Sequence, residues 1–537
     1  MKNTIKRNYH GVSRRKNDIR INNSVLLRGF FILNLCIVFT AGLYAQDFGF
    51  GFDDEAGAEE TAAVSRPASP VKVSGEIAVE LAPYVHDFDN KDDAQAISYW
   101  DMVYGKLKLS AAAGSVDAYA SFNLKISAFS ELWDQSPDLS DASYTPLIMD
   151  EAFLRGFIGP VNIEAGLRKL SWGKADSLGP LDVINPLDYS DLRNISDIQA
   201  IKIARPMVHV TWNAGGFSKL EAVFIPNFAG HRFARDGRWA AAQFTDMSSV
   251  EEGFSLIAAE KYGPMMALMP GASDIFGNVR TNLMSQLGAD FVTFPATGGL
   301  NYFQTGLRFT TTVGPADIGA QYYYGNLFLP DFTIGGIDNF IDDLVGNLPG
   351  LLSGTYFGNT ALLSPQIKYN RYHQLGIDYA QVIAGFNLRA EFAVHLTDDL
   401  KGDDGAVRNP FIGWSLGFDR DLFWGINANI QCNETVRLLD GKVGSNPVLD
   451  CEADTKMTST RFTMHFSKRF FRDELETKAT VIWDLENMDC YLIPGLAWSI
   501  RDLAVELSAG VFAGDESGDL GQYWENSFVK VGVKYSF

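Results

Sequence analysis

The sequence predicts an all-β protein, a transmembrane antiparallel β-barrel of about 18 strands with 14 or 16 as alternative counts. Three observations predict it. Apolar and polar residues alternate in segment after segment from residue 71 to residue 537, the mark of strands with two unlike faces. The connections between these segments are short and long by turns. The last segment, "FVKVGVKYSF", sets Val529, Val531, Val533, Tyr535 and Phe537 on one parity and Lys530, Gly532, Lys534 and Ser536 on the other.

Strands are expected over 71–83, 99–113, 116–129, 147–158, 161–173, 205–213, 217–226, 301–313 and 315–327. Nine more follow over 366–380, 383–396, 408–420, 423–436, 457–469, 474–486, 489–500, 503–513 and 525–537. Each reaches the ~9–11 residues with which a tilted strand crosses a bilayer. "AGS", "GP", "AGG", "GP", "IAG" and "DRD" read as tight turns, whereas 174–204, 227–300, 328–365, 397–407 and 437–456 are long. Short turns at one end and long loops at the other are the asymmetry of an outer-membrane barrel. The apolar parity then meets lipid, and closure leaves no strand edge unpaired in hydrocarbon. The rival all-β fold, a soluble sandwich, rarely carries so many strands with such unequal connections.

The N-terminal stretch differs. Basic residues from Lys2 to Arg28 precede "FFILNLCIVFTAGLYA", which reads as an export signal over 1–45, cut after Ala45. Residues 46–70 are poor in branched apolar residues and end in prolines, as a disordered periplasmic leader does, leaving 71–537 for the barrel. The first 45 residues hold eight of the 45 basic residues and one of the 65 acidic, so the remainder carries a net charge of −27. That balance argues against nucleic acid as a partner. Mean hydropathy is −0.04, and past residue 50 no apolar run approaches the ~18 residues of a spanning helix.

If the apolar parity faces lipid, the other lines a lumen. Lys125, Glu151, Arg155, Glu164, Arg168, Arg389, Glu391 and Lys530 fall on it and are candidates for tuning selectivity. Such charges either set a field across the lumen or pair with one another and stiffen the wall. The segment "GLRKLSWGKADSLGPLDVINPLDYSDLRN" breaks the alternation at Trp172 and Gly173. Its Gly-Pro and Asn-Pro pairs fold a polar loop that carries Asp176, Asp182, Asn185, Asp188 and Asp191. Folded inward, it would narrow the barrel. The Asp spacing fits no standard calcium loop, and no metal or cofactor is expected.

Arg168, Trp172, Gly173, Asn185, Pro186 and Asp188 resemble the pattern of an uncharacterised family of bacterial outer-membrane barrels, a "GR" strand end, "WG" and an "N-P-x-D" loop. The resemblance spans residues 149–230 and implies a porin-like barrel and a channel, with no substrate. The terminal Phe537 is similar to the signature by which the barrel-assembly machinery takes up such proteins.

Two loops are less polar. "KYGPMMALMPGASDIFGNV" carries Met265, Met266 and Met269. "IGGIDNFIDDLVGNLPGLLSG" sets Phe340 and Leu344 on one side of a helical pattern. They either pack as a lid or meet an apolar ligand, as in a channel that resembles the fatty-acid transporters. Cys432 and Cys451 flank one loop and could close it as a disulfide in an oxidising compartment. "GWSLG" at 413–417 matches a nucleophile motif by letter, yet it lies within a strand where that motif needs a strand-to-helix turn. No enzyme is expected. Passage of small solutes through an outer-membrane pore is the expected function. A lidded channel for hydrophobic compounds and a surface barrel whose loops bind a partner are the alternatives.

Overall fold

The computed structural model describes residues 71–86, 99–126, 147–234, 237–241, 295–444, 450–452 and 455–537. The expected signal, leader and methionine-bearing loop (Met265, Met266, Met269) lie outside them. Residues 65–126 with 137–537 make one compact unit. The second unit, 1–64 with 127–136, lies wholly outside the described residues.

Alternating segments become one 18-stranded sheet. Its strands are β1 (Val71–Pro83), β2 (Tyr99–Ala113), β3 (Val116–Ile126), β4 (Leu147–Ile158), β5 (Val161–Arg168), β6 (Arg205–Gly215), β7 (Ser218–Ile225), β8 (Gln304–Val313) and β9 (Ala316–Asn326). They continue as β10 (Arg371–Ile383), β11 (Phe386–Thr397), β12 (Phe411–Asp421), β13 (Asn427–Arg437), β14 (Thr458–Phe470), β15 (Leu475–Asp484), β16 (Asp489–Ile500), β17 (Leu503–Ala513) and β18 (Phe528–Ser536). Each pairs antiparallel with its neighbours in sequence, and β18 returns to β1 with Val533 opposite Val79 and Val531 opposite Leu81. Gly75 and Phe537 extend this seam by exchanging backbone hydrogen bonds of 2.8 and 2.9 Å. The sheet is closed.

Turns at one end are tight. At Ala384 and Gly385 both φ angles are positive, 54° and 79°, the geometry that matches the right-handed twist of a hairpin. Connections at the other end are long, except residues 485–488 between β15 and β16. Leu154, Ile377, Leu416 and Val531 stand 58, 59, 53 and 49% exposed on the outer face. An exterior of this kind suits hydrocarbon.

Strand boundaries shift by a few residues in several places, and two depart from the sequence reading by five. The strand expected over 161–173 ends at Arg168. There Asn185 replaces the ladder: its Oδ1 accepts the Leu170 N–H at 2.7 Å, and its Nδ2 donates to Arg168 O and Ile203 O at 3.0 and 2.9 Å. The strand expected from 366 starts at Arg371, because Ser364–Lys368 pairs with Asp331–Gly335 in a ribbon inside the loop.

The disulfide is not formed, and Cys432, Cys451 and Cys490 are all free. Cys432 lies mid-strand in register with Leu416, a residue of the outer face, whereas the Cys451 thiol bonds buried Asp331. Phe340 and Leu344 are fully buried, with Gly358 of the same loop packed on them. Phe340 and Leu344 of the helix Ile337–Gly346 therefore turn onto their own loop.

Candidate functional site: the lumen and its inward-folded loop

Inward positions carry ion pairs that run around the wall. Glu164 of β5 receives Arg155 at 2.7 Å, Arg168 at 3.0 Å and His209 Nδ1 at 2.9 Å. His209 Nε2 lies 3.3 Å from Glu221, which also meets Lys219 at 3.2 Å. Lys530 sits more loosely, 3.6 Å from Glu80 and 3.9 Å from Glu506. Lys125 is in register with Tyr104, and its side chain lies outside the described ones.

Residues 169–204, which join β5 to β6, turn into the barrel and bond to three sectors of its wall. The first sector is polar. Glu391 of β11 accepts the backbone N–H of Lys174, of Ala175 at 2.7 Å and of Leu181 at 3.3 Å. Gln431 Oε1 of β13 accepts the N–H of Asp176 and Ser177 at 2.8 and 3.0 Å. Asp176 pairs with Arg389, which also holds Asp419 at 2.7 Å, and accepts from Asn429 at 2.8 Å. Gln321 and Gln374 donate to Leu181 O and Pro180 O at 2.9 and 2.6 Å. Glu151 anchors the loop's start by accepting the Lys169 N–H at 2.9 Å.

The other two sectors are apolar. Leu170, Trp172 and Ile184 pack with Met207, Val223, Ile225, Tyr323 and Tyr372 of the wall. Leu187, Leu192, Ile195 and Ile201 pack with Ala82, Ile482, Tyr491, Phe512 and Phe528. The wall is pared down to admit the loop. A Cβ on Gly306 would fall 2.7 Å from the Trp172 ring, and one on Gly413 2.8 Å from Pro180. Gly173 of the "WG" pair has φ 102°, and a Cβ there would lie 2.2 Å from Glu391 Oε1. Only glycine meets both demands.

Inside the loop, Lys202 is buried and pairs with Asp182 at 2.6 Å; burial pushes the Asp182 carboxyl up even so. Asp188 pairs with Arg232 at 3.2 Å, and Asp191 accepts from Arg193 Nε at 2.8 Å. Asn194, Ser196, Asp197, Gln199 and Ala200 form the loop's exposed edge.

Of the sequence-predicted wall charges, Arg155, Glu164 and Arg168 are brought together, while Glu151, Arg389, Glu391 and Lys530 meet other groups. Arg389 and Glu391 both serve the loop instead of each other, and Glu164 with Arg168 is the pair that does form. Sequence reading missed the glutamines Gln321, Gln374 and Gln431, and the loop's apolar half. A signal for the latter exists: inward positions Ile482, Tyr491, Phe512 and Phe528 are apolar on strands whose outward positions are apolar too.

Fold and loop together define a class: a closed, lipid-suited β-barrel with an inward-folded loop across its lumen. No family model matches the sequence, and no curated protein matches it. Among solved structures, the chain is similar to a BenF-like porin from Pseudomonas fluorescens Pf-5, at 8% identity and TM-score 0.44, covering 87% of this chain and 98% of that one. It is also similar to OccAB4 of Acinetobacter baumannii, at 9% identity and TM-score 0.42, covering 88% and 100%. The outer membrane channel DcaP of the same organism is similar at 9% identity and TM-score 0.37, covering 87% and 97%.

Proposed function

We propose that this chain is a porin-like channel of the bacterial outer membrane, passing small polar solutes between the exposed edge of its inward loop and the charged inner residues Glu76, Glu80, Glu506, Lys530 and Lys534. These lie nearer the tight-turn end than the apolar seat of the loop on β1, β17 and β18. The observation that carries the reading is the apolar outer parity of the strands set against an inner wall that carries ion pairs, with the loop seated inside on polar and apolar sectors. Lys530 and Lys534 stand loosely paired along the inner wall, 3.6 Å from Glu80 and 3.7 Å from Glu76, and support this reading. Glu391, Arg389, Asp176 and Gln431 fix the constriction. Asp197 and Gln199 on the loop face the solute, and Lys106, Lys530 and Glu506 on the wall set the field it crosses.

Proteoliposome swelling tests this reading. Vesicles holding the refolded protein should admit small sugars and amino acids and exclude large oligosaccharides. Vesicles as tight as protein-free ones would refute it. The hydrophobic-compound reading loses support from the burial of Phe340 and Leu344 within their own loop.

A further inference from the structure

We propose that the inward loop is an acid-released plug, held by two histidines, half-buried His231 and buried His395, each of which must accept a hydrogen bond for the loop to stay seated. The consequence for transport rests on the channel reading above; the geometry does not.

The bonding around His395 has a fixed direction. Arg308 only donates, so Gln321 Oε1, 2.6 Å from Arg308 Nη1, accepts. The Gln321 amide nitrogen then donates both its hydrogens, to Leu181 O of the loop at 2.9 Å and to Gln374 Oε1 at 2.7 Å. That orients Gln374, whose nitrogen donates to Pro180 O of the loop at 2.6 Å and points at His395 Nε2, 3.1 Å away. His395 Nε2 must therefore accept. The second histidine holds the next stretch of the same loop: Leu187 N–H donates to His231 Nδ1 at 2.9 Å.

A protonated imidazole carries a hydrogen on both nitrogens. Either bond would then set donor against donor. Among the described residues no carboxylate is bonded to either ring. His395 stacks on Phe411 with centroids 4.2 Å apart, and Tyr372 lies at 5.6 Å. His231 meets Phe328 at 5.1 Å, Tyr189 at 5.2 Å and Phe233 at 6.4 Å. Charged groups on the elements packed around them are engaged elsewhere: Arg232 with Asp188 at 3.2 Å, Arg308 with Asp378 at 2.7 Å, and Glu391 with the loop amides. Burial holds His231 down to about 4. Among the described residues a cation in either aromatic nest has no carboxylate bonded to it; at His395, on β11, the movable neighbour is the inward loop, and His231 itself lies in the connection between β7 and β8.

The test follows the Leu187 amide by hydrogen exchange in the full-length refolded protein between pH 7 and pH 3.5, corrected for intrinsic rate, with single-channel conductance alongside. Wild type should lose about tenfold or more of its Leu187 protection at acid pH and show a reversible rise in conductance. His231→Gln with His395→Gln keeps an acceptor oxygen that does not titrate and should hold both readings flat. His231→Asn serves if the glutamine variant does not refold. Unchanged protection in wild type, or loss in the double variant equal to wild type, would overturn the proposal, since carboxylates common to both proteins would then be responsible. A barrel silent at every pH that still loses Leu187 protection only with its histidines intact would refute the channel reading and uphold the latch.

Discussion

Gly376 on the barrel wall and Leu181 on the inward loop contend for one space: a side-chain carbon on Gly376 would fall 2.2 Å from Leu181 Cδ2. The wall is hollowed where the loop seats, so filling the hollow should unseat it. Gly376→Val is expected to cost about 1–3 kcal/mol of loop packing while leaving the barrel ladder intact. Trypsin cleavage at Lys174 should be faster in the variant than in wild type under non-denaturing conditions. Equal rates would show that the loop is not held at this point.

Lys202 is buried beside Asp182, and removing one member of a buried ion pair strands the other. Lys202→Met should destabilise the loop by roughly 3–5 kcal/mol, read as a lowered midpoint of the loop's own unfolding in urea. Lys202→Met with Asp182→Asn should recover most of the loss. If the double substitution is no better than the single one, the pair is not the cause.

Much of this fold is legible in the amino-acid sequence. Alternation along β3, β11 and β18 states which residues face outward, because a period of two admits only one register against lipid. The loop's bonding is less legible. Asn185 reads as a turn residue from its following proline, yet its work is to close the end of β5 through three bonds that depend on Leu170 and Ile203. Glu391 reads as one of a charged pair with Arg389, yet it is spent on backbone amides more than two hundred residues away in sequence. Contacts of that separation leave no local pattern. Gly376 and Gly413 look like unremarkable small residues until Leu181 and Pro180 are seen against them.

Acid should loosen two outer loops at points separate from the histidine latch. Burial works to raise the Asp399 carboxyl, but the amides of Asp404, Asp403, Lys401 and Gly402 outweigh it and leave the group lowered. Burial likewise raises Glu486, and the N–H and hydroxyl of Thr460 with Thr458 bring it below its ordinary value. A carboxyl depressed in the fold stabilises above its unfolded value, about 3.9 for Asp and 4.3 for Glu, and that stability is lost as pH falls through the folded value. A carboxyl titration by NMR should place both midpoints below these figures. Midpoints at or above them would contradict the hydrogen bonding described.

The cysteines offer a simple check. With Cys432, Cys451 and Cys490 free, protein expressed from residue 46 onward and purified without reductant should titrate three thiols when denatured. One thiol would mean that two of the cysteines are bridged and that the loop carrying Cys451 folds otherwise.

A pair of single-channel recordings bears on whether the loop narrows a water-filled lumen. Wild type in planar bilayers should give small, discrete conductance steps. Glu391→Ala, which leaves the Lys174, Ala175 and Leu181 amides without their acceptor, should give steps several-fold larger. Identical steps from the two proteins, or silence from both, would contradict a loop-narrowed channel.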